Sequence, residues 1–295
     1  MTIYYHPDYV AAAHVFPTTR KSAWLREDLV ASPLPGISWS EPETVTMEQL
    51  MVVHAPDYIE AVRTGRPEVL AESNGFPWDS GIWKSAVRST GGVVAAALEA
   101  WRTSTNTGSL SCGLHHARRA RGAGFCTFNG LALAASSVLA DGAKRVLILD
   151  LDAHGGGGTN NIISGDPRIV HLDVTTNLFD RYSSVAPSAY NYVGTAENYL
   201  PAVSRRLRAV LVHGPFDLCI YNAGVDCHED DPCGGLAGIT TDLLREREEM
   251  VFRWGCENGI AVSFVLAGGY PGEGHSESTV VALHRQTVQA ALKFG

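Results

Sequence analysis

Apolar residues along this chain fall into short runs that are separated by segments with helical periodicity. The runs read as buried strands and lie at 146–150, 169–174, 218–222 and 262–267. Between them, 197–212 and 241–254 have the spacing of amphipathic helices, whereas the Ala- and Val-rich stretch 91–101 predicts a helix buried on most sides. Strands that alternate with helices predict an α/β fold with a central, mainly parallel sheet flanked by helices.

Composition narrows the class of protein. The 295 residues, 45% hydrophobic and 18% charged, contain no linker-like segment or repeat, so we expect a single domain over 1–295. A net charge of −8 without a basic cluster argues against a nucleic-acid partner. No membrane-length apolar segment or signal peptide is apparent, and six cysteines without a C-x-x-C pair favour reduced thiols. We therefore expect a soluble cytoplasmic protein with no membrane partner.

Three potential metal ligands end the first apolar run. Asp150, Asp152 and His154 are spaced two residues apart, so they would share one face if the strand continued to His154. Carboxylate and imidazole groups suit a divalent metal. The alternative is a strand-end turn with a capping aspartate and a flexible loop, because four glycines follow at 155–158.

A fourth candidate ligand follows the run at 218–222. Asp226, together with Asp152 and His154, would make three protein ligands and leave a coordination position open, as catalytic zinc sites do. Parallel sheets bind ligands at the carboxyl ends of their strands, which is where these residues lie. The alternative is that Asp226 is a turn-forming acid in a polar loop.

Two further polar positions could take part in catalysis. The adjacent His115 and His116 could act as base and acid near a metal-activated water, or they could be exposed loop residues. Tyr270 follows Gly268-Gly269 at the end of the last run, where its phenol could donate to an oxyanion or merely pack over a turn. There is no G-x-S-x-G, G-K-[ST] or G-x-G-x-x-G motif, so a metal hydrolase is the class that remains.

Taken together, these motifs resemble the zinc-dependent histone deacetylase and acetylpolyamine amidohydrolase family. Seven segments match in family order over nearly the whole chain: 5–9, 53–62, 113–117, 124–126, 150–154, 223–232 with its Asp231-Pro232, and 268–270. The resemblance implies an arginase-like α/β fold and hydrolysis of the amide of an acylated amine. It also implies one zinc ion per chain, bound by Asp152, His154 and Asp226.

The same resemblance assigns roles around the metal. His116 would be the general base and then the general acid, and His115, paired with Asp150, would give electrostatic support. Tyr270 would polarise the scissile carbonyl. Gly124 and Phe125 would lie along the acyl tunnel, with Cys233 at its floor or wall. Members of the family often also hold a potassium ion near the metal loop. In this chain the ion would lie near Asp150 and Asp173. Asp173 stands where the family more often has serine.

The chain departs from the family pattern in its metal loop. Glycines 155 and 157 replace a second histidine and an Asp or Asn, so Gly157 stands where a polar group normally orients His116. His116 would then use water, another loop or no partner. The segment 177–191 also lacks the family's Pro-Gly-Thr-Gly tunnel wall.

These departures leave several alternatives open. The rival to an amidohydrolase is a catalytically weak relative that binds metal or an acyl ligand, because of Gly155 and Gly157. A binuclear arginase-type hydrolase is less favoured, since it would need more carboxylates. Iron remains open beside zinc because two carboxylates and one imidazole form a hard ligand set. The acylated amine, whether acyl-lysine, acetylpolyamine or a small metabolite, is not distinguished.

Overall fold

The four predicted strands form the central part of one parallel sheet. The computed structural model describes residues 1–12, 16–112 and 114–295; Gly113, from one of the family-like motifs, lies outside them. Within these residues, eight strands have the order β2-β1-β3-β8-β7-β4-β5-β6, and every neighbouring pair is parallel. The strands are β1 (Thr2–Tyr4), β2 (Ser38–Ser40), β3 (Thr107–Ser109), β4 (Val146–Asp150), β5 (Ile169–Thr175), β6 (Ala189–Tyr192), β7 (Leu218–Ala223) and β8 (Val262–Leu266). The predicted α/β fold class is confirmed.

The three helices predicted from the sequence are present in the structure. The segments predicted at 197–212 and 241–254 correspond to α8 and α9, and the stretch 91–101 is the buried second half of α5. The helices are α1 (Lys21–Ala31), α2 (Met47–Met51), α3 (Pro56–Thr64), α4 (Glu68–Ala71), α5 (Ser80–Thr103), α6 (Gly130–Ala140), α7 (Gly157–Ile163), α8 (Tyr199–Val210), α9 (Thr241–Glu257) and α10 (Glu277–Lys293). Across the described residues, none of them combines the length and apolarity needed to cross a membrane.

The sheet separates two apolar cores. Along β4, Leu147 and Leu149 belong to the core shared with α1, α8, α9 and α10, whereas Val146 and Ile148 belong to the core shared with α3, α5 and α6. Side chains alternate across a strand, so a strand covered on both faces is apolar at every position. This explains why the central strands could be recognised from the sequence.

The strand β4 does not continue to its last candidate ligand. It ends at Asp150, and residues 151–154 turn away from the strand direction. Backbone N–H groups of this turn bond to its own carboxylates: Asp152 N donates to Asp150 Oδ1 at 3.2 Å, and His154 N donates to Asp152 Oδ1 at 3.0 Å. The strand therefore does not continue to His154, and the expectation that Asp150, Asp152 and His154 share one strand face is wrong. Asp150 lies against His115, His171 and Asn222.

A buried ion pair on α9 holds the chain that follows β4. The Arg247 guanidinium is fully buried, donates from Nη1 to the Leu151 carbonyl at 3.1 Å and to Tyr199 Oη at 3.2 Å, and pairs with Glu248. Glu248 Oε1 also accepts from Tyr221 Oη at 2.9 Å. The helix is thereby tied to the backbone beside the candidate ligand Asp152.

We predict that Arg247→Met lowers the free energy of unfolding by roughly 3–5 kcal/mol, because it leaves the Glu248 carboxylate buried without its cation. Equilibrium urea denaturation measures this change. Arg245→Met is the control, since Arg245 and Asp242 form an exposed pair on the same helix, and it should change stability by less than about 1 kcal/mol. Equal effects of the two substitutions would contradict the prediction.

Candidate active site

Asp152, His154 and Asp226 meet beyond the carboxyl ends of β4 and β7. His154 Nδ1 lies 3.2 Å from Asp152 Oδ1 and 3.0 Å from Asp226 Oδ2, and one potential ligand atom from each residue lies within 4.8 Å of the others. The two strands are adjacent and in register, with Asp150 opposite Asn222. The loops that leave them therefore bring together residues more than seventy positions apart.

The charges of this group need compensation. Asp152 and Asp226 are both buried, and burial together with the charge of Asp152 raises the pKa of Asp226. Burial disfavours a charged His154, but the two carboxylates outweigh it and raise the pKa of His154 to about 11. A proton on the imidazole or a cation among the three groups has to offset the negative charge.

The three residues fit a divalent cation as their resident group. Asp226 Oδ2 makes no properly directed hydrogen bond, although His154 Nδ1 is 3.0 Å away, while Asp226 Oδ1 accepts from Ala153 N at 2.9 Å. His154 Nε2 lies 3.3 Å from the Cys233 carbonyl oxygen, a contact that fixes Nε2–H and leaves Nδ1 as a ligand atom. Three ligands of this kind leave room for water and substrate.

In the part of the chain that the structure describes, two other clusters have metal-ligand chemistry. Asp150, His171 and Asp173 lie together behind the metal loop, where Asp173 Oδ2 accepts from Gly156 N at 2.7 Å. This is the place to which the potassium prediction refers, and that prediction stays untested. A further group, His228, Asp230 and His275, lies in the loops after β7 and β8.

The pKa values of the two adjacent histidines are shifted in opposite directions. His115 Nδ1 lies 2.9 Å from Asp150 Oδ2; burial opposes its charge, but Asp150 and Asp152 outweigh burial and raise the pKa of His115 to about 10. Burial and the charge of His115 lower the pKa of His116 to about 4. Near neutral pH, His115 is therefore charged, and His116 is neutral and able to accept a proton.

The partner of His116 comes from the loop after β5. His116 Nδ1 lies 2.9 Å from Asp180 Oδ2, and Arg118 donates to Asp180 Oδ1. A Cβ at Gly157 would lie 2.5 Å from Asp180 Oδ1, so this carboxylate occupies the space beside Gly157. Of the three alternatives raised by Gly157, another loop is the one found. The sequence interpretation missed Asp180, because no spacing signal links it to a histidine 64 residues earlier.

Tyr270 follows β8 and faces the cavity beside the ligand group. Its N–H donates to Asp231 Oδ2 at 2.8 Å, and Thr18 Oγ1 donates to the neighbouring Gly269 carbonyl at 2.8 Å. Burial and the charge of Asp226 raise the pKa of Tyr270 well above its usual value. The phenol therefore stays protonated and remains a hydrogen-bond donor.

A cavity with aromatic walls leads to these groups. Gly124 and Phe125, which the family resemblance places along the acyl tunnel, both line this cavity. A Cβ at Gly124 would lie 2.3 Å from His116 Cδ2. Cys233 is exposed and is not among the residues that line the cavity. Its backbone carbonyl oxygen contacts His154 Nε2. The lining includes Tyr9, Thr18, Lys21, Ser22, Asn74, Phe76, Cys112, His115, His116, Phe128, Asp152 and Tyr270.

Phe179 adds a wall that the sequence interpretation did not include. Its ring packs edge-on against His116 at 5.0 Å and against His154 at 5.9 Å, measured between ring centroids, and it is 51% exposed. The segment 177–191, which lacks the family's usual tunnel-wall motif, thus still supplies an aromatic side chain beside the site.

The fold and this site together define an α/β protein with a parallel sheet and, beyond its strand ends, a group of residues that could hold a divalent cation. The family model described as "Histone deacetylase domain" matches residues 14–285. The chain belongs to this histone deacetylase family, whose deacetylase and amidohydrolase members place it among hydrolytic enzymes.

Relatives agree with this assignment. An uncharacterized protein of Picosynechococcus is 33% identical, with 91% of each chain covered. Acetylpolyamine amidohydrolase 2 of Pseudomonas aeruginosa is 29% identical over 73% of this chain and 64% of its own, and histone deacetylase 2 of Arabidopsis thaliana is 28% identical over 78% and 62%. This chain thus spans less than two thirds of these two named enzymes.

Two solved structures share the fold. The HD domain of HDA15 superposes with a TM-score of 0.84 over 99% of this chain and 91% of its own. Acetylpolyamine aminohydrolase from Burkholderia pseudomallei superposes with a TM-score of 0.81 over 100% and 99%. Both are 20% identical to this chain, so these matches establish the fold alone.

We predict that Asp226→Asn removes stoichiometric metal. The amide oxygen can still accept from Ala153 N, so the substitution removes the charge while keeping a buried hydrogen bond. Elemental analysis of purified protein measures the metal content. Asp242→Asn is the control, because that side chain is 78% exposed on α9 and belongs to none of the clusters with metal-ligand chemistry; it should retain metal. Full metal content in Asp226→Asn would overturn the ligand assignment.

Proposed function

We propose that this chain is a zinc-dependent amidohydrolase, with one catalytic domain spanning 1–295, that removes the acyl group from an acylated amine. The observation that carries the proposal is geometric: the His116 ring lies beside the ring of His154, which meets Asp152 and Asp226, and the Tyr270 phenol borders the same cavity as His116. A base, a metal-type ligand set and an oxyanion donor around one cavity are what hydrolysis of an amide by water requires.

The metal part of the proposal rests on the ligand set. A divalent cation held by Asp152, His154 and Asp226 would polarise the amide carbonyl and lower the pKa of the attacking water. We propose one zinc ion per chain and keep iron as the alternative, since two carboxylates and one imidazole accept both. We also propose that any structural potassium lies near Asp150 and Asp173.

His116 carries out both proton transfers, and His115 supplies positive charge. His116 accepts a proton from the attacking water and afterwards gives it to the leaving amine, which makes that amine a neutral leaving group. His115 stays charged through its pair with Asp150 and favours the negative charge that develops on the reacting centre. Their rings lie 3.9 Å apart, so the charge on His115 also keeps His116 unprotonated before the reaction.

Tyr270 supports the same step from its place beside the cavity. Its protonated phenol donates a hydrogen bond to the oxygen of the tetrahedral intermediate, where negative charge is greater than on the substrate carbonyl. Asp231 and Thr18 both hold the peptide unit between Gly269 and Tyr270, Asp231 by accepting from its N–H and Thr18 by donating to its carbonyl. No covalent acyl-enzyme is needed, because the water attacks directly.

The substrate class follows from the cavity and the relatives. Phe76, Phe125 and Phe128 provide apolar walls for an unbranched acylated arm. Relatives carry the names histone deacetylase, acetylpolyamine amidohydrolase and acetoin utilization protein, so acyl-lysine, acetylpolyamines and small acylated amines are all candidates. We propose no nucleic-acid or membrane partner, and a cytoplasmic location, as the sequence predicts.

The rival function was a catalytically weak relative whose weakness came from Gly155 and Gly157. The Asp180 carboxylate, 2.9 Å from His116 Nδ1, weakens that argument because it supplies the polar partner that Gly157 cannot. The amidohydrolase is therefore the proposal we retain.

The proposal is tested by measuring hydrolysis of acyl-lysine peptides, acetylpolyamines and small acylated amines by the metal-loaded protein, alongside its metal content. We expect turnover of at least one class and loss of that turnover on chelation. Metal-loaded protein that hydrolyses none of the panel would favour the binding-protein alternative. Two metal ions per active-site cavity would instead revive a binuclear hydrolase.

We predict that Tyr270→Phe lowers kcat about 100-fold, or roughly 3 kcal/mol, because one oxyanion donor is lost. Metal content should be unchanged, since Tyr270 is not among the proposed ligands. Tyr192→Phe, at a position 48% exposed, is the control and should leave kcat unchanged. An unaltered kcat in Tyr270→Phe would remove the phenol from the mechanism.

A further inference from the structure

We propose that Asp180 is the positioning residue of His116, and that the glycines of the metal loop are present because they admit the segment 177–180 that carries it. The carboxylate that orients the base is thus supplied from the loop after β5 instead of from the metal loop itself. This inference rests on the proposed function, in which His116 is the base.

The segment 177–180 is bonded along the metal loop by main-chain contacts. Asn177 N donates to the Ala153 carbonyl at 2.8 Å, and Gly155 N donates to the Phe179 carbonyl at 2.9 Å. Asp180 lies at φ 55°, in the left-handed region that aspartate, asparagine and glycine enter more readily than other residues. The backbone thereby sets both the place of Asp180 and the few residue types that suit it.

The glycines leave the room that this arrangement occupies. A Cβ at Gly155 would lie 2.8 Å from the Asp180 carbonyl oxygen, and a Cβ at Gly157 would lie 2.5 Å from both that oxygen and Asp180 Oδ1. Contacts this short require the backbone to shift. A side chain at 157 and the Asp180 carboxylate therefore exclude each other.

The hydrogen bonds at Asp180 determine the tautomer of His116. Oδ1 accepts from Arg118, and Oδ2 accepts from Gly158 N at 3.2 Å and from His116 Nδ1 at 2.9 Å. A carboxylate has no proton to donate here, so His116 carries its proton on Nδ1. The lone pair is then on Nε2, which is the nitrogen nearer to Gly124 in the cavity wall.

Asp180 acts in two ways through His116. It holds the imidazole in the tautomer whose Nε2 can accept a proton from water, and it stabilises the imidazolium that forms when the proton arrives. Loss of a partner that orients an active group typically costs 10- to 100-fold in activity. The Asp180 side chain is 4% exposed, so bulk water does not readily replace it.

The first experiment determines the tautomer directly. Nitrogen-15 spectra of histidine-labelled protein at pH 8 should show His116 as the Nδ1–H form in the wild type, with the signal assigned from His116→Ala. Asp180→Gly removes the carboxylate and suits the positive φ; we expect it to shift His116 towards the Nε2–H form. The same tautomer in both proteins would overturn the proposal, whether or not the protein hydrolyses any substrate.

The second experiment uses turnover. Asp180→Gly should lower kcat about 10- to 100-fold with KM and metal content unchanged, and in a His116→Ala background it should cause no further loss, because residues that act as a unit are not additive. Asp180→Asn, which keeps an acceptor, should retain more activity than Asp180→Gly. Losses that multiply across the double variant would indicate a structural role and overturn the proposal.

A matched glycine pair tests the packing half of the proposal. Gly157→Ala should displace Asp180 and reproduce the tautomer change of Asp180→Gly, whereas Gly165→Ala, where a Cβ would meet nothing within 4 Å, should leave the tautomer unchanged. A Gly157→Ala protein with the wild-type tautomer would contradict the packing argument. If the wild type hydrolyses no substrate, the proposed function fails, and the tautomer measurements still decide the role of Asp180.

Discussion

The buried carboxylates of Asp152 and Asp226 impose the constraint on which the site depends. Folding brings both into a place of low polarity beside His154, where their negative charge needs a nearby cation. Backbone donors offset part of this negative charge. Ala153 N–H donates to Asp226 Oδ1 at 2.9 Å, and Gly268 N–H donates to Asp152 Oδ2 at 2.6 Å. Of the other two oxygens, Asp226 Oδ2 accepts no directed hydrogen bond and Asp152 Oδ1 accepts one from His154 N at 3.0 Å, so both retain a lone pair that could bind a divalent ion.

Buried charges also give the two adjacent histidines different properties. His115 lies against Asp150 and holds a proton, whereas His116 is kept neutral by burial and by the charge of its neighbour. Asp180 then gives His116 a defined orientation. One imidazole can therefore supply charge while the other moves a proton, although the two residues are adjacent in the chain and line the same cavity.

The sequence predicted the central strands well and the edges poorly. Strands such as β4 are covered on both faces and are apolar throughout, so they stand out, whereas β1 to β3 have three residues each and show no pattern. The candidate ligands could be named because the strand ends lie at one edge of a parallel sheet. The bend after Asp150 could not be foreseen, because it is produced by hydrogen bonds from the backbone to Asp150 and Asp152.

By itself, the sequence determined the fold class, the family and the residue types available to the site, because apolar periodicity and short motifs are local properties of the chain. The tertiary structure alone decided how Gly157 is compensated. Asp180 reaches His116 across 64 residues, through a segment whose backbone bonds to the metal loop. Such a contact depends on which loops pack together and on the space that a missing side chain leaves, and neither is encoded in the spacing of residues along the chain.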